Sequence, residues 1–137
     1  MAFIWGAALA LGAAAFAAMV GFDRDRSFYP VVLVVIALLY DLFAVMAGSP
    51  PPVPELIGTA VFVGAAIAGF RWNLWIAAAA LALHGAFDLI HGGLIANPGV
   101  PTFWPAFCSS YDVVAAACLG WLILSGRQPA LPQGRAT

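Results

Sequence analysis

The sequence predicts an all-α, polytopic membrane bundle of five transmembrane helices, with the N-terminus outside and the C-terminus cytoplasmic. Three observations predict it. Of the 137 residues, 64% are hydrophobic and 8% charged, and there is no lysine. A soluble domain carries about 25% charged residues, so this chain cannot cover a surface that faces water. Its apolar residues fall into five runs, four of which approach the roughly 20 helical residues that span a hydrocarbon core. If five spans alternate sides, all five basic residues, every one an arginine, lie on a single side, as the positive-inside rule requires of the cytoplasmic face. The setting expected is a bacterial inner membrane, with the lipid bilayer as the first partner. A net charge of −1 without any basic run offers no footprint for nucleic acid.

The five spans make one domain, 1–126. Span 1 (3–22) is an Ala-rich run without charge. It lacks the basic start of a secretory signal, so it reads as an uncleaved membrane helix rather than a leader. The loop Asp23-Arg24-Asp25-Arg26-Ser27 follows, then span 2 (28–47), interrupted only by Asp41. Gly48-Ser49-Pro50-Pro51-Pro52-Val53-Pro54 is a stiff linker that cannot be helical. Span 3 (55–70) opens on Glu55, an acid at the positive end of the helix dipole. It carries Ala60, Gly64 and Ala68 at spacing four, a stripe suited to close helix packing. Arg71-Trp72-Asn73 turns into span 4 (74–92). A Gly-, Pro- and aromatic-rich loop leads to span 5 (106–125), and 127–137 forms a short cytoplasmic tail. Trp5 and Trp104 belong to the outer aromatic belt; Phe28, Tyr29, Trp72, Trp75 and Trp121 lie at or toward the inner one. Cys108 and Cys118, about 15 Å apart on one helix, cannot pair with each other and read as small apolar fillers.

The chemistry concentrates in His84-Gly-Ala-Phe-Asp88-Leu-Ile-His91, which holds both histidines of the chain. The spacing i, i+4, i+7 puts His84, Asp88 and His91 on one helix face. At about 1.5 Å per residue, Asp41 and Asp112 lie roughly 10 Å below the outer surface and Asp88 at a similar depth. Tyr40-Asp41 and Tyr111-Asp112 echo each other on antiparallel spans, a faint sign of an inverted repeat. An ionised side chain at mid-membrane costs about 2.5–3.5 kcal/mol on insertion scales, and no arginine lies within these spans to offset it. Something else must neutralise the acids.

A metal is one candidate: imidazole and carboxylate suit zinc, and also iron or manganese. His84 and His91 are about 10 Å apart along the helix, so all three groups of the stripe on one ion would strain it. Two of His84, Asp88 and His91, completed by Asp41 or Asp112, make the better set. Asp88, Asp112 and Tyr111 are the candidates for catalysis, with a metal-activated water hydrolysing a lipid-like substrate. Protons are the second candidate: His84, Asp88, His91 and Glu55 can relay them toward the outer side in a proton-coupled carrier. Interhelical hydrogen bonding in a non-catalytic accessory subunit or an oligomer is the third, at about 0.6 kcal/mol per bond. The loop Asn97-Pro98-Gly99-Val100-Pro101-Thr102-Phe103-Trp104-Pro105 lies over this region, as a lid or as the mouth of a pocket for an apolar ligand.

His84, Phe87-Asp88, His91, Asn97-Pro98, Pro101, Cys108 and Tyr111-Asp112 together resemble a small family of bacterial membrane proteins of uncharacterised function. The likeness covers about the last third of the chain and implies a shared polar core, with no activity attached. A looser likeness is to the alkaline ceramidase and adiponectin-receptor superfamily, seven-helix zinc hydrolases with intramembrane His and Asp. Five spans and two histidines depart from that family's three-histidine site, so only the chemical idea carries over. Two histidines on one face of one helix cannot sandwich a haem, and histidine-rich diiron sites need many more.

Overall fold

The computed structural model describes residues 1–128; Arg135 and all but the first two residues of the expected tail lie outside the described residues. Five helices cross the molecule: α1 (Ala2–Val20), α2 (Phe28–Met46), α3 (Val53–Arg71), α4 (Leu74–Leu94) and α5 (Trp104–Leu124). Each is long and apolar enough to span a membrane. A short 3-10 turn, Phe22–Arg24, separates α1 from α2. Helix α3 begins two residues before the expected Glu55 and α5 two before the expected Ala106. Both early starts place a proline (Pro54, Pro105) in the first helical turn, where a missing N–H breaks no bond.

The interior sets a group of polar side chains in a Leu- and Ala-rich core, and the exterior is apolar. The largest fully buried side chains are Leu33, Leu81, Leu119, His84, His91, Asp88 and Asp112. Meanwhile Leu11, Phe16, Val61, Leu83 and Leu89 stand exposed. A chain in water would reverse this pattern; one surrounded by hydrocarbon keeps its polar groups inside. The fold is that of an integral, multi-pass membrane protein.

The helices neighbour one another in the order α1, α5, α4, α3, α2, with α2 leaning across to touch α4 and α5. Close approaches occur where a side chain is missing. A Cβ on Gly6 would overlap the Phe107 carbonyl and the Ser110 hydroxyl, so α1 lies backbone to backbone on α5. A Cβ on Gly69 would stand 2.7 Å from that of Ala77, where α3 meets α4. The expected packing stripe of α3 is not where it packs: Ala60 and Gly64 are exposed, with open space beside Gly64. The inward face of α3 instead runs through Glu55, Ala66 and Gly69, because the buried polar groups of α2 and α4 draw Glu55 and Thr59 toward them.

Arg24, Arg26, Arg71 and Arg127 lie at one end of the bundle, the end where α1, α3 and α5 finish. There Arg26 donates to the carbonyls of Phe70 (2.7 Å) and Gly69 (3.2 Å), satisfying acceptors that the end of α3 leaves free. Gln128 donates to the Asp23 carbonyl at 2.6 Å, and the Arg127 guanidinium lies 4.8 Å from the centre of the Trp121 ring. Asp25 accepts from the Ser27 N–H and hydroxyl, both at 2.8 Å. These two bonds hold its carboxyl below the ordinary aspartate range.

Candidate metal centre

Helix α4 starts cleanly because Asn73 accepts the Trp75 N–H at 3.0 Å, a side-chain cap. Ten residues further on it presents His84, then Asp88 and His91, all 2% exposed or less. Helix α5 runs antiparallel beside it and presents Cys108 and Asp112, 3% and 0% exposed. Each helix thus contributes an i, i+4 pair to the same level. The helices come this close because residue 85 is glycine: a Cβ there would stand 2.9 Å from the Ser109 carbonyl oxygen and 3.1 Å from the Asp112 Cβ. Gly85→Val is expected to push α4 and α5 apart, costing about 1–3 kcal/mol as overpacking does. Thermal unfolding in detergent measures the loss, and a cost no larger than that of Gly12→Val, which faces open space, would refute the close packing.

His84, Asp88, Cys108 and Asp112 each offer one ligand atom, and the four atoms lie within 4.8 Å of one another. His84 Nδ1 stands 2.7 Å from Asp112 Oδ2 and 3.6 Å from Asp88 Oδ2. Around a tetrahedral zinc, ligand atoms stand about 3.3–3.8 Å apart, given bonds of about 2.0–2.3 Å. Movements of about an ångström would therefore convert this group into a coordination shell. Asp88 Oδ2 and Asp112 Oδ1 are buried without a hydrogen-bond partner. Among the described residues, the acids of the bundle that form ion pairs form them only with histidine. Phe62 lies edge-on to the His84 ring at 4.7 Å between centroids, and Phe87 lies 6.3 Å away, so the surroundings are apolar.

Tyr40 ties this group to a second one. Its hydroxyl donates to Asp88 Oδ1 at 2.7 Å, and its ring stacks on His91 at 4.0 Å between centroids. His91 Nε2 lies 2.7 Å from Glu55 Oε1. The Asn97 amide donates to both Glu55 oxygens, at 2.9 and 3.0 Å, and to the Tyr40 carbonyl at 3.0 Å. The loop between α4 and α5 is thereby tied down over the site. Gly99 follows, packed so tightly on the Phe43 carbonyl that no Cβ would fit, and Trp104 meets the Phe43 ring edge-on at 4.9 Å.

The stripe of α4 is thus divided. His84 and Asp88 join α5, while His91 turns to Glu55 on α3. Asp41 is at the expected depth but faces elsewhere: its Oδ2 accepts from Thr59 at 2.7 Å, at the α2–α3 contact. Successive helical residues point about 100° apart, so Tyr40 and Asp41 cannot both face α4, and Tyr40 does. The same rotation turns Tyr111 away from the group that Asp112 joins, into an apolar groove. Two contributors lie outside the residues expected to bind metal or act in catalysis, and only the family resemblance includes them. Cys108 looked like filler, yet Cys108-x-x-x-Asp112 repeats the spacing of His84-x-x-x-Asp88. Asn97 carried no local signal, because its partners lie on other helices. The cavity that touches His84, shared with Tyr40, Glu55 and Phe87, measures about 10 Å³, room for one water at most.

No family model, curated protein or solved structure matches the chain.

Proposed function

We propose that this is a protein of the bacterial inner membrane, arginine end toward the cytoplasm, that holds one divalent metal ion inside its bundle on His84, Asp88, Cys108 and Asp112. The observation that carries the reading is the pair of buried, unpartnered oxygens, Asp88 Oδ2 and Asp112 Oδ1, in a group whose four ligand atoms lie within 4.8 Å. A divalent ion offsets two of the three negative charges that Asp88, Asp112 and the Cys108 thiolate would otherwise hold in hydrocarbon, and leaves the site with a single one. Zinc is the first choice, since thiolate and imidazole select it over manganese; iron is the second. Four protein ligands close the coordination shell, the design of a structural site rather than one that activates water. Hydrolysis of a lipid-like substrate would require one ligand to yield its place.

A second reading, proton handling, is favoured by the buried row Asp112, His84, Asp88 and Tyr40, hydrogen-bonded at both ends and separated by 3.6 Å between His84 and Asp88. Elemental analysis of the purified protein separates the two. Near-stoichiometric zinc, lost in His84→Ala and in Asp112→Asn but kept in Asp41→Asn, is the expected result. Metal-free protein whose proton flux in liposomes is abolished by Asp88→Asn would establish the second reading instead. Metal-free protein that co-purifies with a larger complex, and is indifferent to these substitutions, would be an accessory subunit.

A further inference from the structure

Helices α1 and α2 are consecutive, yet they do not pack on each other: α1 lies on α5 and α2 on α3. Between them an open groove of about 480 Å³ runs over α5. Its walls are Leu9 of α1, Val31, Val35 and Leu39 of α2, and Phe107 and Tyr111 of α5. From Phe28 to Leu39 it extends about 16 Å. The space open to the centre of an atom the size of water then averages about 30 Å² in section, a slot about 6 Å wide. A hydrocarbon chain, whose neighbours sit about 4 Å from its carbons, has the right girth. The groove opens sideways among exposed apolar residues such as Val31 and Val35, hence into the lipid phase.

Its polar features decide what sits at each end. Trp104 lines one end, and its indole N–H is buried without a partner, a donor that a small turn of the ring would bring into the groove. Tyr111 supplies a hydroxyl about 10 Å farther along. Among the described residues no cation lines the groove, and the one charged residue that does, Asp25, is at the opposite end. An anionic head therefore finds no counter-charge here, whereas an ester or amide carbonyl finds a donor.

We infer that this groove binds one acyl chain of an ester- or amide-linked lipid, its carbonyl accepting from Trp104 and its tail running past Tyr111 and Val35 toward Phe28. Cys108 lines the groove as well as belonging to the four-residue group, so the chain would lie against the proposed metal centre. The binding itself does not depend on a metal.

The test is photolabelling of the full-length protein in phosphatidylethanolamine vesicles doped with a lipid that carries a diazirine in one acyl chain. Labelling at Val31, Val35 and Phe107 should exceed that at Val61 and Ile57, which are simply exposed on α3, by about tenfold. Val35→Trp, which fills the groove from an exposed position, should abolish the excess. Trp104→Phe, which removes only the N–H donor, should lower it about 3–10-fold, the value of one hydrogen bond converted to a binding ratio. Equal labelling of both faces would overturn the inference, as would an excess that survives Val35→Trp. So would protein–protein crosslinks through Val35, which would mean that a second copy of the chain fills the groove. An excess unaffected by Trp104→Phe would overturn the placement of the carbonyl. None of these outcomes depends on metal content, so the groove and the metal centre stand or fall separately.

Discussion

Replacing His91 with leucine is expected to cost about 3–5 kcal/mol of stability, because it removes one partner of a buried acid–imidazole pair and leaves the other behind. Glu55 is 3% exposed and would keep only the Asn97 amide as a partner. Glu55→Leu alone should cost a similar amount, stranding His91 and two Asn97 donor contacts. The double variant, His91→Leu with Glu55→Leu, should recover most of that loss, since replacing a whole buried pair by apolar side chains is often close to neutral. Asn97 then still donates to the Tyr40 carbonyl, so the loop keeps one anchor. Unfolding free energies of the four proteins in one detergent give the coupling energy directly, and a value of about 2 kcal/mol or more is expected. Additive costs would show that the two side chains do not act as a pair. Metal content should stay at its original level in the double variant, because His91 lies outside the group of four. A loss of metal there would return His91 to the coordination shell.

The division between these two clusters marks how far the sequence could be read. That the chain forms five spans was legible, because composition and span length decide it without reference to which helix touches which. His84 and Asp88 were legible as a pair, because i, i+4 on a helix is local geometry. Asp112 was legible by depth, given that alternating spans put it near Asp88. Depth alone, however, leaves each helix free to rotate. Asp41 satisfies the depth criterion and still faces Thr59, because α2 is turned to bring Tyr40 inward. The order of helices around the bundle was likewise not available. Nothing local announces that α1 skips α2 to lie on α5, although the missing side chain of Gly6 makes that contact possible. Asn97 illustrates the same limit: a loop asparagine becomes a latch only when three distant segments converge on it. Cys108 was hidden differently. A cysteine among apolar neighbours is usually filler, and only the repeated i, i+4 spacing with an acid separates it from Cys118, which has no such partner.

Cys108 also supports the sharpest test of the metal centre. Substituting serine keeps the size of the side chain while replacing a soft sulfur with a hard, weakly acidic hydroxyl. If the sulfur ligates, Cys108→Ser should weaken zinc binding by at least about 100-fold, more than the 10–100-fold that loss of a mere supporting contact produces. Manganese binding should change far less, since that ion takes oxygen ligands readily. Cobalt supplies an independent readout, because a cobalt–thiolate bond has its own charge-transfer absorption in the near ultraviolet. Cobalt-loaded protein should show that band, and Cys108→Ser should lose it while keeping the visible bands of a cobalt ion held by His84, Asp88 and Asp112. Cys118→Ser should leave both unchanged, because Cys118 lies outside the group. Acidification should release the metal from the original protein, since the imidazole, thiol and carboxylates all bind it in their deprotonated forms. A cobalt spectrum without the thiolate band would leave a three-ligand site with one position open. That arrangement would exchange the structural design for one in which a bound water can react, and the hydrolytic chemistry set aside above would become the better reading of the same residues.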